Sequence, residues 1–454
     1  MDLRFGLSKL FGKTIFFFLR VLGKGATALP GLWAIKIDPN FVYKSAKNQN
    51  CIVITGTNGK TTTAHALAKI LKDANQTITH NLSGSNLLRG VATTFLINKP
   101  TDWAIIETDE AAFSTIVPQV QPKLIIILNL FRDQMDRYGE IDKTAKLWQK
   151  TLSNLNFKST VLLNADDPML GYIGQKKSIT SQHKIIFFGL SDFKIGGKIS
   201  EHAADSLLSP TNNKKLKYKH FFFSHLGIYH EPESNFHHPK LDFKIENIKL
   251  KSFQGSEFKI IDTEVIDLKT NLPGVFNIYN LSTAVIAAKI LNIEDTIIKK
   301  SIADFKPAFG RAETIKIADK KITFLLIKNP VGFNQIISLL QDDIEHKDLL
   351  IGINDQIADG TDVSWLWDAD IERLTLIADH FTTTGTRAHE MALRLKYAGF
   401  RSDEITIVNN PKDALDNFIK NSQKENLYCL LTYTTMIELR QKLVKLKLVK
   451  PFYE

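Results

Sequence analysis

"VITGTNGKTTTAHALAKIL" (53–71) runs a short apolar strand into Thr55-Gly56-Thr57-Asn58-Gly59-Lys60-Thr61 and then into a helical pattern. Strand, glycine-bearing turn and helix in that order predict a phosphate-binding loop. Gly56 and Gly59 allow the backbone to turn tightly, so that successive N–H groups face phosphate oxygens. A helix starting near Lys60 adds its positive N-terminal end. Lys60 is expected on the β- and γ-phosphates, with the Thr61 hydroxyl in a magnesium position and Thr62 beside it. One element is missing: the first Gly of G-x-x-x-x-G-K-[ST] falls on Ile54. The bland alternative is a strand–turn–helix link with an accidental Gly-Lys-Thr, and three consecutive threonines (61–63) weigh against it.

The pattern extends outward from this loop. From 51 to about 190, apolar runs ("CIVITG", "WAIIETD", "KLIIILNL", "TVLLNADD", "KIIFFGL") alternate with helical stretches, which predicts a mostly parallel sheet flanked by helices. Residues of about 196–250 lose that rhythm and read as an inserted hairpin. "NIYNLSTAVIAAKIL" (277–291) restores a helix, and "KITFLLIKN" (321–329) opens a second α/β series. The expected organisation is an N-terminal segment (1–44), a central nucleotide-binding domain (45–312) and a C-terminal domain (313–454). No repeat of fixed period is present.

At 454 residues the chain exceeds one ordinary core, so two or three domains are expected. A hydrophobic content of 44% with 23% charged residues describes a globular protein rather than a disordered one. Two cysteines, Cys51 and Cys429, cannot build a disulfide framework or a four-thiolate metal site, which points to a reducing cytosol. "TIFFFLRVLG" (14–23) is too short to span a bilayer and contains Arg20. The net charge of +10 suits an anionic partner or substrate. No recognition motif accompanies it, so nucleic acid is disfavoured. The basic tail "RQKLVKLKLVK" (440–450) reads first as a solvated helix face; an anionic membrane surface is the alternative, helped by the apolar and basic N-terminus.

Acids follow the next two strands. In "WAIIETDEAAF" (103–113), Glu107 ends a strand beside the phosphate loop, the usual place for a magnesium ligand, with Asp109 and Glu110 as weaker candidates. A solvated acid after a strand is the plain alternative. "NLFRDQMDRYGE" (129–140) packs Asn129, Arg132, Asp133, Gln134, Asp136 and Arg137 behind "KLIIIL", dense polarity at a sheet edge where α/β ligands bind.

T-G-T-N-G-K-T-T-T, E-T-D-E-A, N-L-F-R-D-Q-M-D-R-Y-G-E, N-A-D-D-P (164–168), N-x-x-N (277–280) and G-R (310–311) follow one another in the order of the Mur ligases, which the chain resembles. That family makes peptidoglycan precursors with ATP, and its shorter phosphate loop accounts for the missing glycine. The resemblance implies a Mur-ligase-like central P-loop ATPase domain with a parallel sheet, plus a Rossmann-like α/β C-terminal domain. It implies ATP and Mg2+ as cofactors, an acyl phosphate made from a carboxylate, Asn280 near the nucleotide and Arg311 on its phosphates.

The C-terminal pieces "KNPVGFNQ" (328–335), "GINDQIADGTDVSWLWD" (352–368) and "GTRAHEMALRLKYAG" (385–399) look like the MurT branch of the family, and the likeness runs from about residue 20 to the end. Amino-acid-adding members commonly have His in D-H-x-D, and Gln134 stands there. The resemblance implies amidation of the D-glutamate α-carboxylate in the lipid II stem peptide, with ammonia from a GatD-like glutaminase. It also implies that Asp355 completes the partner's Cys-His pair, the third-member role of a triad. Asp359 and Asp362 are the nearby alternatives, and a turn-forming acid is the plain reading. Cys51 and Cys429 both read as core thiols, so no glutaminase nucleophile is visible.

One departure concerns metal. MurT proteins commonly carry a four-cysteine zinc ribbon in the central domain. Ser209, Asn212, Glu231 and Ser234 occupy those places here, so a degenerate hairpin without zinc is expected. His220, His225, His230, His237 and His238 match no strong ligand spacing. Two rival functions remain beside the amidating ligase: an amino-acid-adding or folylpolyglutamate-synthetase-like ligase, and a non-catalytic nucleotide-binding scaffold.

Overall fold

Along Asn50–Thr55 (β1), side chains alternate between two layers, with Cys51 and Val53 in one and Ile52 and Ile54 in the other. A strand buried on both faces calls for a parallel sheet covered by helices. The computed structural model contains that sheet, and the structure describes residues 2–22, 26–81, 85–132, 141–198, 204–306, 311–343 and 345–449. β1 is followed by Ile78–His80 (β2), Trp103–Glu107 (β3), Leu124–Ile127 (β4), Thr160–Asn164 (β5) and Lys184–Leu190 (β6). All are parallel, in the spatial order β6-β5-β4-β1-β3-β2.

Helices cover both faces. Leu3–Val21 (α1), Leu29–Ile37 (α2) and Phe41–Ala46 (α3) precede the sheet. Lys60–Asp73 (α4) packs against Val275–Ile290, and Leu88–Ile97 (α5) lies on the opposite face beside α2. Ala64, Ala68, Ala284, Ala287 and Ala288 keep the α4 contact small enough for close approach.

Lys217–Phe223 (β7) and Leu226–His230 (β8) form a separate antiparallel hairpin. Within the stretch read as an insert, Phe243–Leu250 (β9) instead joins the main sheet, parallel to β6. Ser256–Ile261 (β10) and Val265–Thr270 (β11) follow it as an antiparallel meander to the sheet edge. Ile266, Leu268 and Thr270 point inward while Asp267 and Lys269 point out, the alternation of a half-covered strand.

The second sheet has six strands. Arg311–Ile317 (β12) turns back at Ala318 (φ +53°) onto Lys320–Leu326 (β13). Lys347–Gly352 (β14), Ala378–Thr384 (β15), Ile405–Ile407 (β16) and Asn426–Leu431 (β17) complete the order β12-β13-β17-β14-β15-β16. The two halves touch where Phe253 packs on Tyr428, ring centres 5.0 Å apart. Val331, from the second half, enters the core of the first.

The hairpin is closed by a carboxylate. Buried Glu231 accepts hydrogen bonds from Ser209 (2.6 Å), Thr211 (2.6 Å), Ser234 (2.7 Å) and the Asn212 amide. Three of these donors stand at the positions expected to replace thiolates. The Ser209 hydroxyl, then Thr211, holds the Glu231 carboxyl down to about 2. Its stabilisation is therefore present above the ordinary glutamate range and lost as pH falls towards about 2. The histidines serve separately: His220 donates to the Ile195 carbonyl (2.6 Å), His238 to Asp166 (2.8 Å), and His225 lies on Phe131. Glu231→Gln should lower the thermal midpoint by a few degrees, whereas a chelator leaves the native chain unchanged. Calorimetry with and without chelator reads both, and a chelator-induced drop would show that a metal holds the hairpin.

Candidate active site

The phosphate loop sits at the C-terminal end of β1, the edge where ligands of open α/β sheets bind. Gly56 has φ +135°, and a Cβ there would lie 3.0 Å from that of Leu128. Gly59 (φ +90°) begins α4 in the left-handed region and has no side chain to satisfy the first N–H groups of the helix. Those groups also lack carbonyl partners within the helix, so they suit phosphate oxygens. The buried Thr55 hydroxyl has no hydrogen-bond partner among the described residues.

The segment that follows β4 holds the loop in place. The Asn129 side chain accepts from Asn58 N–H (2.8 Å) and donates to the Asn58 carbonyl (3.1 Å). Thr57 N–H donates to the Asn129 carbonyl (3.1 Å), and the Thr57 hydroxyl both donates to and accepts from the backbone of Phe131. Lys60, buried, donates to the Gly56 carbonyl, the Thr57 carbonyl (3.1 Å) and Glu110 (3.3 Å). Its ammonium is thus fixed under the loop before any phosphate arrives.

The acids divide their tasks. Glu107, at the end of β3, accepts from the Thr61 hydroxyl at 2.9 Å. Asn81 clamps the Glu107 backbone in both directions, at 2.8 and 2.9 Å. A hydroxyl and a carboxylate side by side form the oxygen donor set that a hard divalent cation takes. Glu110 pairs with Lys60, and Asp109 caps the turn by accepting from Ala111 N–H (3.1 Å). Asn280 lies against the loop: its carbonyl accepts from Thr63 (3.2 Å), and a Cβ on Gly59 would come 1.9 Å from its side-chain oxygen. Gln134, Asp133, Asp136, Arg137, Gly310 and the Arg311 side chain lie outside the described residues.

The second sheet reaches the same loop. Asn329 caps the helix Pro330–Gln341 by accepting from Gly332 N–H (2.8 Å) and donates its amide to the Asn58 side chain (3.1 Å). Asn-Pro before an apolar helix signals the cap in the sequence, but nothing there signals the bond to Asn58. Arg132 bridges Asp205 (3.4 Å), whose side chain is 7% exposed, and exposed Asp368 (3.7 Å), and the second pairing is of small energetic value.

Asp355 follows β14 at the C-terminal edge of the second sheet. It accepts from Thr386 (2.7 Å) and Arg387 (2.8 Å), with a quarter of its side chain exposed. The Thr386 hydroxyl, then the Arg387 guanidinium, holds its carboxyl below the usual range, so it is ionised at neutral pH. A carboxylate offers about four lone-pair positions, which leaves room for a further donor such as an imidazole N–H. Asp359 is turned inward onto Thr434 (2.7 Å to its N–H), and burial raises its carboxyl. Asp362 accepts from Ser364 N–H (2.8 Å). Asp362 is exposed, and the Ser364 N–H and hydroxyl hold its carboxyl below the usual range as well, so Asp355 and Asp362 both combine charge with access and Asp359 does not.

Gly59→Ala is expected to weaken ATP binding at least tenfold, because the new methyl strikes Asn280 and the backbone requires positive φ. Titration calorimetry with a non-hydrolysable ATP analogue checks it; unchanged affinity with an intact fold would remove the loop from the nucleotide site.

Known proteins share this fold. The profile of the Mur ligase middle domain matches residues 54–230, and that of the MurT ligase C-terminal domain matches 326–436. The chain is 35% identical, over 99% of both chains, to lipid II isoglutaminyl synthase (glutamine-hydrolyzing) subunit MurT of Streptococcus pneumoniae R6. Among solved structures, a pseudomurein peptide ligase type C from Methanothermus fervidus superposes with a TM-score of 0.71 at 20% identity, covering 90% of this chain and 81% of that one. MurF ligase from Thermotoga maritima in complex with ADP gives 0.64 at 12% identity, covering 91% and 85%.

Proposed function

Because the chain belongs to the MurT branch of the Mur ligases, we propose that it is the ligase subunit of a glutamine-dependent enzyme that amidates lipid II with ATP. The α-carboxylate of the stem-peptide D-glutamate attacks the γ-phosphorus of ATP, releasing ADP and leaving an acyl phosphate. Ammonia then attacks the acyl carbon, the carbon–nitrogen bond forms, phosphate departs, and D-isoglutamine results. The first N–H groups of α4 and the ammonium of Lys60 hold and neutralise the phosphates as the phosphoryl group moves. Magnesium on Thr61 and Glu107 would balance the remaining phosphate charge. Asn280 and the Asn58–Asn129 pair keep the loop in its phosphate-facing shape.

The observation that carries the nitrogen source is the state of the cysteines. Both are buried, Cys51 in β1 and Cys429 in β17, and burial pushes the Cys51 thiol up to about 12 and the Cys429 thiol further still. Neither can serve as a glutaminase nucleophile. On this reading a GatD-like partner supplies ammonia, and Asp355 orients that partner's histidine. The reaction runs on the cytoplasmic side of the membrane, where the substrate is lipid-linked.

Incubating the chain with ATP and stem-peptide substrate, with either ammonium or free amino acids, tests the reading; amino-acid addition would transfer it to the other Mur ligase class. Lys60→Ala should lose roughly 10²-fold or more in rate with glutamine and ammonium alike, since it acts before nitrogen enters.

Asp355→Asn should keep the fold and partner binding while glutamine hydrolysis collapses, by about 10⁴-fold if the acid acts as in a well-studied triad. Added ammonium should restore amidation. Loss with both nitrogen sources would place Asp355 at the ligase centre instead, and loss with neither would leave it a turn residue.

A further inference from the structure

The outer face of α1 is exposed among the described residues. Its inner face is tied down: Phe5 stacks near Phe41 (5.5 Å), Ser8 and Gly12 are buried, and a Cβ on Gly12 would lie 2.7 Å from Leu96. Opposite these residues, Leu3, Leu7, Leu10, Phe17 and Val21 recur at helical spacing and stand in solvent, Leu3 at 79% and Leu10 at 68% exposed. Phe11, Phe18 and Leu22 widen the stripe, and exposed Trp33 of α2 continues it, its ring 5.8 Å from that of Phe11. Lys9, Lys13 and Arg20 run along one flank. Residues 3–37 contain six Lys or Arg and no Asp or Glu.

We propose that α1, extended by Trp33, lies in the plane of an anionic lipid bilayer and holds the ligase there. Four features select this occupant. The surface is a convex helix face rather than a groove, so it needs a deformable apolar medium instead of a shaped partner. Its flank is basic throughout, which complements anionic headgroups and would repel a second copy laid face to face. No helix among the described residues is long and apolar enough to cross a membrane, which fits a helix lying on the surface. Trp33, with Lys36 4.8 Å over its ring, pairs an amphipathic ring with a cation, as residues at the headgroup level do. The inner face meanwhile grips α2 and α5, and α5 starts just after Asn86, whose carbonyl accepts from Asp109 N–H (3.2 Å) beside the Glu107 site. An anchor at α1 therefore brings the carboxylate-activating edge close to the bilayer.

This inference takes its purpose from the lipid-linked substrate proposed above, but its test does not need turnover. The full chain is sedimented with vesicles of equal parts phosphatidylglycerol and phosphatidylcholine, and with phosphatidylcholine alone. Binding is expected with the anionic vesicles, weakened by high salt. The triple variants L7Q/L10Q/F17Q and K9Q/K13Q/R20Q should each lower the partition coefficient at least about tenfold with unchanged thermal midpoints, because all six side chains project from the fold. Absence of native binding to anionic vesicles, or full binding by the apolar-face variant, overturns the proposal. So does a shift from dimer to monomer in the apolar-face variant with vesicle binding unaltered, which would assign the face to a second copy. Amidation of a soluble, lipid-free stem peptide should be equal in all three proteins; its absence in the native protein would sink the ligase reading while leaving the vesicle result standing.

Discussion

A phosphate loop works only if its backbone is held with the N–H groups outward, and in this chain one carboxamide from just beyond the neighbouring strand does the holding. Asn129 satisfies both the N–H and the carbonyl of Asn58, and its own carbonyl takes the Thr57 N–H. The polar groups at the tip of the loop therefore turn to Asn129, just after β4, for partners, and the start of α4 stays open for phosphate. Lys60, Thr61 and Glu107 take their positions from that arrangement. Lys60 folds beneath the loop, and Thr61 meets Glu107 across the β1–β3 pair.

The same residue reaches the other half of the molecule. The Asn58 side chain receives the Asn329 amide, while the other end of Asn329 caps a helix of the second sheet. A neutral hydrogen bond of this kind is worth about 1 kcal/mol net. That favours apposition of the two sheets. The Phe253–Tyr428 contact and Val331 supply the apolar part of the same joint.

Much of this was legible in the sequence. Glycines at the turn, a lysine at the helix start and an acid at the end of β3 follow from the chemistry of phosphate and magnesium, and their spacing survives without knowledge of the fold. β9–β11 were harder to see, because outward Lys and Glu residues broke up the apolar runs and left only a half-covered alternation. Asn81, Asn129 and Asn329 act through carboxamides whose partners lie 26, 71 and 271 residues away, and no local pattern encodes such approaches. The four substituted metal positions showed in the sequence as a loss. Only the coordinates show that one of them, Glu231, gathers donors from the other three and from Thr211.

The placement of the two thiols has a practical consequence. Cys51 lies in an inner strand of the first sheet and Cys429 in an inner strand of the second. Each half of the molecule thus carries one concealed sulfur, and alkylation of either requires that half to open. The rate at which each cysteine becomes labelled measures the breathing of its own half independently of the other. The native chain is in this sense a two-channel reporter of its own local unfolding, able to show which half tightens when nucleotide or the partner subunit binds.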